Sequence, residues 1–199
     1  MTIFVKICGL QDSAAVAAAV EAGANAVGFV FAESVRRVTP RQAQAATRNL
    51  PAGVQRVAVM RHPTNAECQA VLAGFAADVV QTDAGDFADL DIPEHIERWP
   101  VLREGAAELD MALPPVFLYE GKNSGAGERV DWAQAMSVAL RGRMILAGGL
   151  TPDNVGLAVR AVRPWGVDVS SGVESAPGIK DVELIHRFVG AVRAMENEL

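Results

Sequence analysis

Short runs of β-branched and aromatic residues alternate with alanine-rich stretches along the whole chain. Val, Ile and Phe suit a pleated, buried strand, whereas Ala has the highest helix propensity. The alternation predicts strands beginning near Ile3, Asn25, Gln55, Ala77, Trp99, Pro115, Arg143 and Gly166. Helices are predicted over residues 12–22, from Thr39-Pro40 onward, and over 64–73, 132–140, 152–162 and 181–195. Gly23 and Gly74 mark helix ends, while Thr39-Pro40 and Thr151-Pro152 read as a capping hydroxyl followed by proline at the first helical position. After the fourth and fifth strands, around Asp86-Phe87 and Ala106-Ala107, the helical signal is short or irregular. Strands alternating with helices imply a parallel sheet, and eight such units predict an α/β chain closed into one (β/α)8 barrel domain over residues 1–199. An open doubly wound sheet would carry G-x-G-x-x-G in its first turn, and Cys8-Gly9-Leu10-Gln11-Asp12 lacks it.

Composition narrows the function classes. Half the residues are apolar and 21% are charged, as in a soluble globular protein. A net charge of −6 without a basic stripe argues against nucleic acid as a partner. No apolar run approaches membrane-spanning length, and the segment up to Cys8 has no signal-peptide pattern, so a cytoplasmic location is expected. Cys8 and Cys68 are far apart, which predicts free thiols in a reducing compartment. His62, His95 and His186 show no metal-ligand spacing, and no metal is expected.

In such a barrel the chemistry lies at the C-terminal ends of the strands. Side chains alternate along a strand, so if Cys8 faces the axis Lys6 does too, while Val5 and Ile7 face the helices. By the same alternation Gln81 pairs with Asp83, Asp168 with Ser170, and Glu120 shares its face with Val116 and Leu118. Lys6, Cys8, Gln81, Asp83, Arg103, Glu120 and Asp168 therefore gather at one mouth. Burying so many polar groups is costly unless they pair with each other or serve a ligand. Nearby, Gly148-Gly149 and Ser170-Ser171-Gly172 follow the last two strands with small side chains and accessible backbone N–H groups. Such turns can take a phosphate, so a phosphorylated small molecule is the expected ligand.

Four segments resemble the phosphoribosylanthranilate isomerase family of tryptophan biosynthesis. They are Lys6-Ile7-Cys8-Gly9-Leu10; Gly28-Phe29-Val30-Phe31 with Ser34-Val35-Arg36-Arg37-Val38; Leu146-Ala147-Gly148-Gly149-Leu150-Thr151-Pro152; and the stretch from Gly166 to Lys180. The resemblance implies a (β/α)8 barrel and a cofactor-free Amadori rearrangement of N-(5-phosphoribosyl)anthranilate. It implies that Cys8 is the general base, its pKa tuned by Lys6, against the alternative of a small apolar core residue. It further implies that Arg36 holds the anthranilate carboxylate and that Asp168 binds ribose hydroxyls or positions the base. Gln81 and Asp83 would touch substrate, and Gly148, Gly149, Ser171 and Gly172 would hold the phosphate.

Two departures from the family pattern stand out. The family's acid is an Asp at the end of the sixth strand, but here the strand reads Val116-Phe117-Leu118-Tyr119-Glu120. Glu120 is assigned the acid role, against the alternative that it merely pairs with Lys6 or Lys122; Asp83 and Tyr119 are the other candidates. The loop Ser124-Gly125-Ala126-Gly127-Glu128 carries Glu where the family shows Lys. Rival readings are a phosphosugar epimerase or the related aminoaldose isomerase of the histidine pathway, and a barrel that binds its metabolite without turnover. Monomer and homodimer both stay open.

Overall fold

The computed structural model describes residues 2–106, 112–121 and 130–196. Eight parallel strands close into a barrel in chain order. They are β1 Phe4–Cys8, β2 Ala26–Val30, β3 Gln55–Val59, β4 Val79–Asp83, β5 Glu97–Arg103, β6 Val116–Glu120, β7 Arg143–Leu146 and β8 Gly166–Val169. Each of these starts within two residues of its predicted position. The seam is closed by β1 against β8, with Lys6 beside Asp168 in register. A two-stranded hairpin, β9 Glu174–Ala176 with β10 Ile179–Lys180, follows β8.

Six α-helices occur among the described residues: α1 Ser13–Ala22, α2 Pro40–Ala46, α3 Asn65–Gly74, α4 Trp132–Ala139, α5 Val155–Val162 and α6 Val182–Glu196. Local chemistry explains their starts. Asp12 accepts the Ala15 N–H at 2.8 Å, and Thr39 with Gln42 and Thr64 with Glu67 form capping boxes. Asp181 accepts the Leu184 N–H at 3.0 Å. The start of α5 differs from the prediction. The helix begins at Val155, because the Asn154 side chain accepts the Thr151 N–H at 2.8 Å and donates to the Gly149 carbonyl. That competing pair of bonds holds Thr151-Pro152-Asp153 in a turn. After β4 stands only a short 3-10 helix, Ala84–Asp89, as expected. Residues 107–111, which bear on the expected irregular segment after β5, and 122–129, which include Lys122 and the glycine-rich loop, lie outside the described residues.

Strand alternation builds two cores. Val5, Ile7, Val27, Phe29, Val80, Phe117 and Tyr119 belong to the larger one, shared with the helices. Ala26, Val57, Val79, Trp99, Val101, Val116, Leu118, Ile145 and Ala147 fill the barrel axis. Phe4 stacks on Trp165 at 4.7 Å and meets Trp99 edge-on at 5.6 Å, which plugs the N-terminal end of the barrel with aromatic surface. Polar chemistry is thereby confined to the opposite mouth.

The turns after β7 and β8 meet at Gly172. A Cβ there would lie 1.9 Å from the Leu150 carbonyl oxygen, so only glycine allows this approach. Gly172→Ala must push the two turns apart. The expected cost is roughly 2 kcal/mol or more, seen as a melting temperature about 4–8 °C lower in a thermal scan for a chain of this size.

Candidate active site

At the C-terminal mouth a cavity of about 180 Å³ is lined by Cys8, Arg36, Gln81, Asp83, Arg103, Glu120, Asp168 and Ser170 among others. These residues come from β1, β4, β5, β6, β8 and the turns after β2 and β8. Cys8, Arg36, Gln81, Asp83, Glu120 and Asp168, all expected from the sequence, are brought together there.

At the base of the cavity, Lys6 Nζ donates to Asp168 Oδ1 at 2.8 Å, with the lysine side chain fully buried. Burial alone would lower the pKa of the Lys6 ammonium, but Asp168 and Cys8 beside it outweigh burial and raise it. Cys8 is nearly buried. Burial pushes its thiol above the ordinary value of 9.0, with Asp168 adding to the rise while Lys6 and Lys180 pull it back. In the free protein the thiol is thus the favoured form, and the lysines limit the penalty for ionising it.

Across the mouth, Arg103 clamps both carboxylates. Its Nη1 donates to Glu120 Oε1 and its Nη2 to Asp83 Oδ1, each at 2.5 Å. Burial would lower the Arg103 pKa, but the two anions raise it. Among the described residues Glu120 pairs with Arg103, and Lys6, one of the two expected alternatives, is engaged by Asp168; Lys122, the other, lies outside the described residues. Tyr119 is a different case. Its side chain is buried in the outer core, away from the cavity, and burial pushes its pKa up to about 12. It takes no part at the mouth.

Asp83 also faces His62 Nε2 at 3.4 Å, and His62 Nδ1 lies 3.0 Å from Asp86 Oδ1. Asp86 accepts the Thr82 hydroxyl at 2.5 Å and the His62 backbone N–H at 3.1 Å, holding His62 at a left-handed φ of 46°. The ligand atoms of His62, Asp83 and Asp86 lie within 4.8 Å of one another. The Arg103 guanidinium on Asp83 opposes a cation at this cluster. No local spacing in the sequence signals this grouping, which forms only when β3 and β4 run side by side.

Arg36 reaches the cavity over Gly9, where a Cβ would lie 2.6 Å from its Cδ. Its Nε and Nη2 donate to Glu174 Oε1 and Oε2 at 2.6 and 2.8 Å. Lys180 Nζ donates to Glu174 Oε1 at 2.7 Å and to the Ser170 carbonyl at 2.9 Å. Burial would raise the Glu174 pKa, but these two cations lower it from 4.5 to about 2. Burial lowers that of Lys180. Glu174 and Lys180 lie inside the C-terminal segment that carries the family resemblance, yet nothing local ties them to Arg36, 138 positions from Glu174.

Gly148, Gly149, Ser171 and Gly172 are grouped at the turns after β7 and β8 but do not line the cavity around Cys8. Gly148 and Gly149 have φ of 89° and 61°. The N–H groups of these four residues donate no hydrogen bond among the described residues, which leaves a set of open backbone donors beside the cavity. Gln81 Oε1 is buried in the cavity wall with no hydrogen-bond partner among the described residues.

The N-(5'-phosphoribosyl)anthranilate (PRA) isomerase family model matches residues 5–191. An N-(5'-phosphoribosyl)anthranilate isomerase of Thiobacillus denitrificans is 40% identical over 206 residues, covering 98% of this chain and all of that one. The crystal structure of the phosphoribosyl anthranilate isomerase of Thermotoga maritima superposes with a TM-score of 0.84 at 31% identity, over 97% of this chain and 100% of that one. A further phosphoribosyl anthranilate isomerase, in complex with reduced 1-(o-carboxyphenylamino)-1-deoxyribulose 5-phosphate, gives a TM-score of 0.81 at 30% identity with the same coverage. No helix among the described residues is long and apolar enough to cross a membrane. In sequence over nearly its whole length, and in fold, this chain belongs to the N-(5'-phosphoribosyl)anthranilate isomerase family.

Proposed function

We propose that this protein converts N-(5'-phosphoribosyl)anthranilate into 1-(2-carboxyphenylamino)-1-deoxyribulose 5-phosphate, a step of tryptophan biosynthesis, with Cys8 as general base and Glu120 as general acid. The observation that carries the assignment is a cavity in which a buried thiol flanked by Lys6 faces a carboxylate pair across the barrel mouth.

The chemistry is redox-neutral. Glu120 gives its proton to the furanose ring oxygen as the C1–O bond breaks, and the nitrogen lone pair completes a C1=N iminium. The Cys8 thiolate then takes the C2 proton, and the freed electron pair forms the C1=C2 bond of an enolamine. Loss of the proton on the C2 hydroxyl and protonation of C1 give the amino ketone. Each step needs a placed proton donor or acceptor.

The other residues divide the substrate among them. Arg36 holds the aromatic carboxylate, a planar fork meeting a planar acid. Asp168, fixed by Lys6, faces the ribose hydroxyls. Gly148, Gly149, Ser171 and Gly172 offer their N–H groups to the phosphate. Asp83 shares Arg103 with Glu120 and so helps position the acid. Gln81 Oε1, which has no partner among the described residues, accepts a hydrogen bond from bound substrate.

Loss of anthranilate-type fluorescence on mixing with freshly made substrate tests the reading, and no turnover would overturn it. The acid assignment has its own signature. Burial favours the neutral Cys8 thiol in the free protein. Glu120→Gln should lower turnover by roughly 10²–10⁴-fold. Its residual rate should climb about tenfold per pH unit below the thiol pKa, following Cys8 ionisation alone. Wild-type turnover in that variant would move the acid elsewhere. Gln81→Leu removes a buried oxygen that has no partner among the described residues. Its stability should hold or rise by about 1 kcal/mol, read as a melting temperature unchanged or about 2–4 °C higher, while KM increases several-fold in steady-state assays.

A further inference from the structure

Glu174 has no part in the proton transfers above, yet it is among the most heavily bonded carboxylates near the cavity. It receives both Nε and Nη2 of Arg36, the Lys180 ammonium, and the Gly178 N–H at 3.1 Å. The Glu174 and Lys180 side chains are 4% and 3% exposed, so the junction is almost closed to water. Lys180 in turn holds the Ser170 carbonyl, at the turn that leads from β8 to the expected phosphate donors.

A guanidinium has two edges able to grip a carboxylate in bidentate fashion, Nε with Nη2 and Nη1 with Nη2. Glu174 takes the first. The second has no partner among the described residues, and Arg36 lines the cavity. Arg36, Lys180 and Glu174 together keep one net positive charge, so an incoming anion is still attracted. Because Gly9 has no side chain, the arginine stem passes close over the end of β1.

We propose that Glu174 is a positioning residue that fixes Arg36 with its Nη1–Nη2 edge presented to the cavity, as a preformed receptor for the aromatic carboxylate of the substrate. Lys180 completes the device by neutralising Glu174 and tying it to the Ser170 turn. The inference rests on the reading of Arg36 as the carboxylate site, and it adds which edge is used and what holds it. Preorganisation of this kind acts on binding by removing the ordering of a long side chain from the association step.

Steady-state kinetics of Glu174→Gln, Glu174→Asp, Arg36→Ala and the Arg36→Ala/Glu174→Gln double variant test it on two substrates. One is phosphoribosylanthranilate; the other is the phosphoribosyl derivative of aniline, which lacks the carboxyl group. Glu174→Gln should raise KM for the first by about tenfold, with kcat changed less than about threefold, as expected for lost orientation of a binding group. Glu174→Asp should recover part of the loss. On the aniline substrate Glu174→Gln should match the wild type, and in the Arg36→Ala background it should add nothing. An unchanged KM in Glu174→Gln overturns the proposal. So does an equal rise on the aniline substrate, which would mean a general structural role. If Glu174→Gln does not fold, the same contrast between substrates is read from Glu174→Asp. An unchanged KM in Arg36→Ala overturns the carboxylate reading itself, whereas a raised KM there with a silent Glu174→Gln removes only the role of Glu174.

Discussion

The buried pair between Lys6 and Asp168 is the constraint on which the site depends. The two residues are neighbours in register across the seam where β1 meets β8, so their bond lies where the barrel closes. A buried ion pair is weak evidence for stability, because desolvating both charges offsets their attraction. Its consequences here are chemical. The pair puts an ammonium and a carboxylate beside Cys8, and their opposing effects, together with burial, set the ionisation of the thiol. Removing either partner would leave an uncompensated charge in contact with the residue assigned as base.

Around that pair the charges are grouped by task. Arg103, Asp83 and Glu120 form one group on the β4 to β6 side, and Arg36, Glu174 and Lys180 form another beside β1 and β8. Two carboxylates hold the Arg103 guanidinium and one, Glu174, holds that of Arg36, at short range in both, which fixes geometry before any ligand arrives. The aromatic plug of Phe4, Trp99 and Trp165 at the other end leaves the mouth as the polar end of the axis. Glu120 meets Arg103 directly, because the two are register neighbours at the ends of β6 and β5.

What could be read from the sequence follows from periodicity. Alternation along β1 placed Lys6 and Cys8 on the axis and Val5 and Ile7 toward the helices, and both cores follow that division. Hydroxyl-proline and glycine signals located α1 to α3, because capping is a local interaction. The Thr151-Pro152 signal misplaced the start of α5, since Asn154 offered the backbone a stronger alternative. Partnerships were the part least open to reading. Glu120 with Arg103 and His62 with Asp83 join neighbouring strands, Arg36 with Glu174 joins segments 138 positions apart, and charge at a strand end does not name its partner. The roles of Cys8 and Arg36 came from the family resemblance; composition alone made them a thiol and a loop cation.

The central claim is that the Cys8 sulfur removes the proton from C2. The most direct measurement is the rate at which deuterium at ribose C2 is lost from labelled substrate in wild type and in Cys8→Ala. The account predicts that loss of label slows by roughly 10³-fold or more in the variant, as for removal of a general base, while a stable product analogue still binds. Loss of label at the wild-type rate without the sulfur would contradict it.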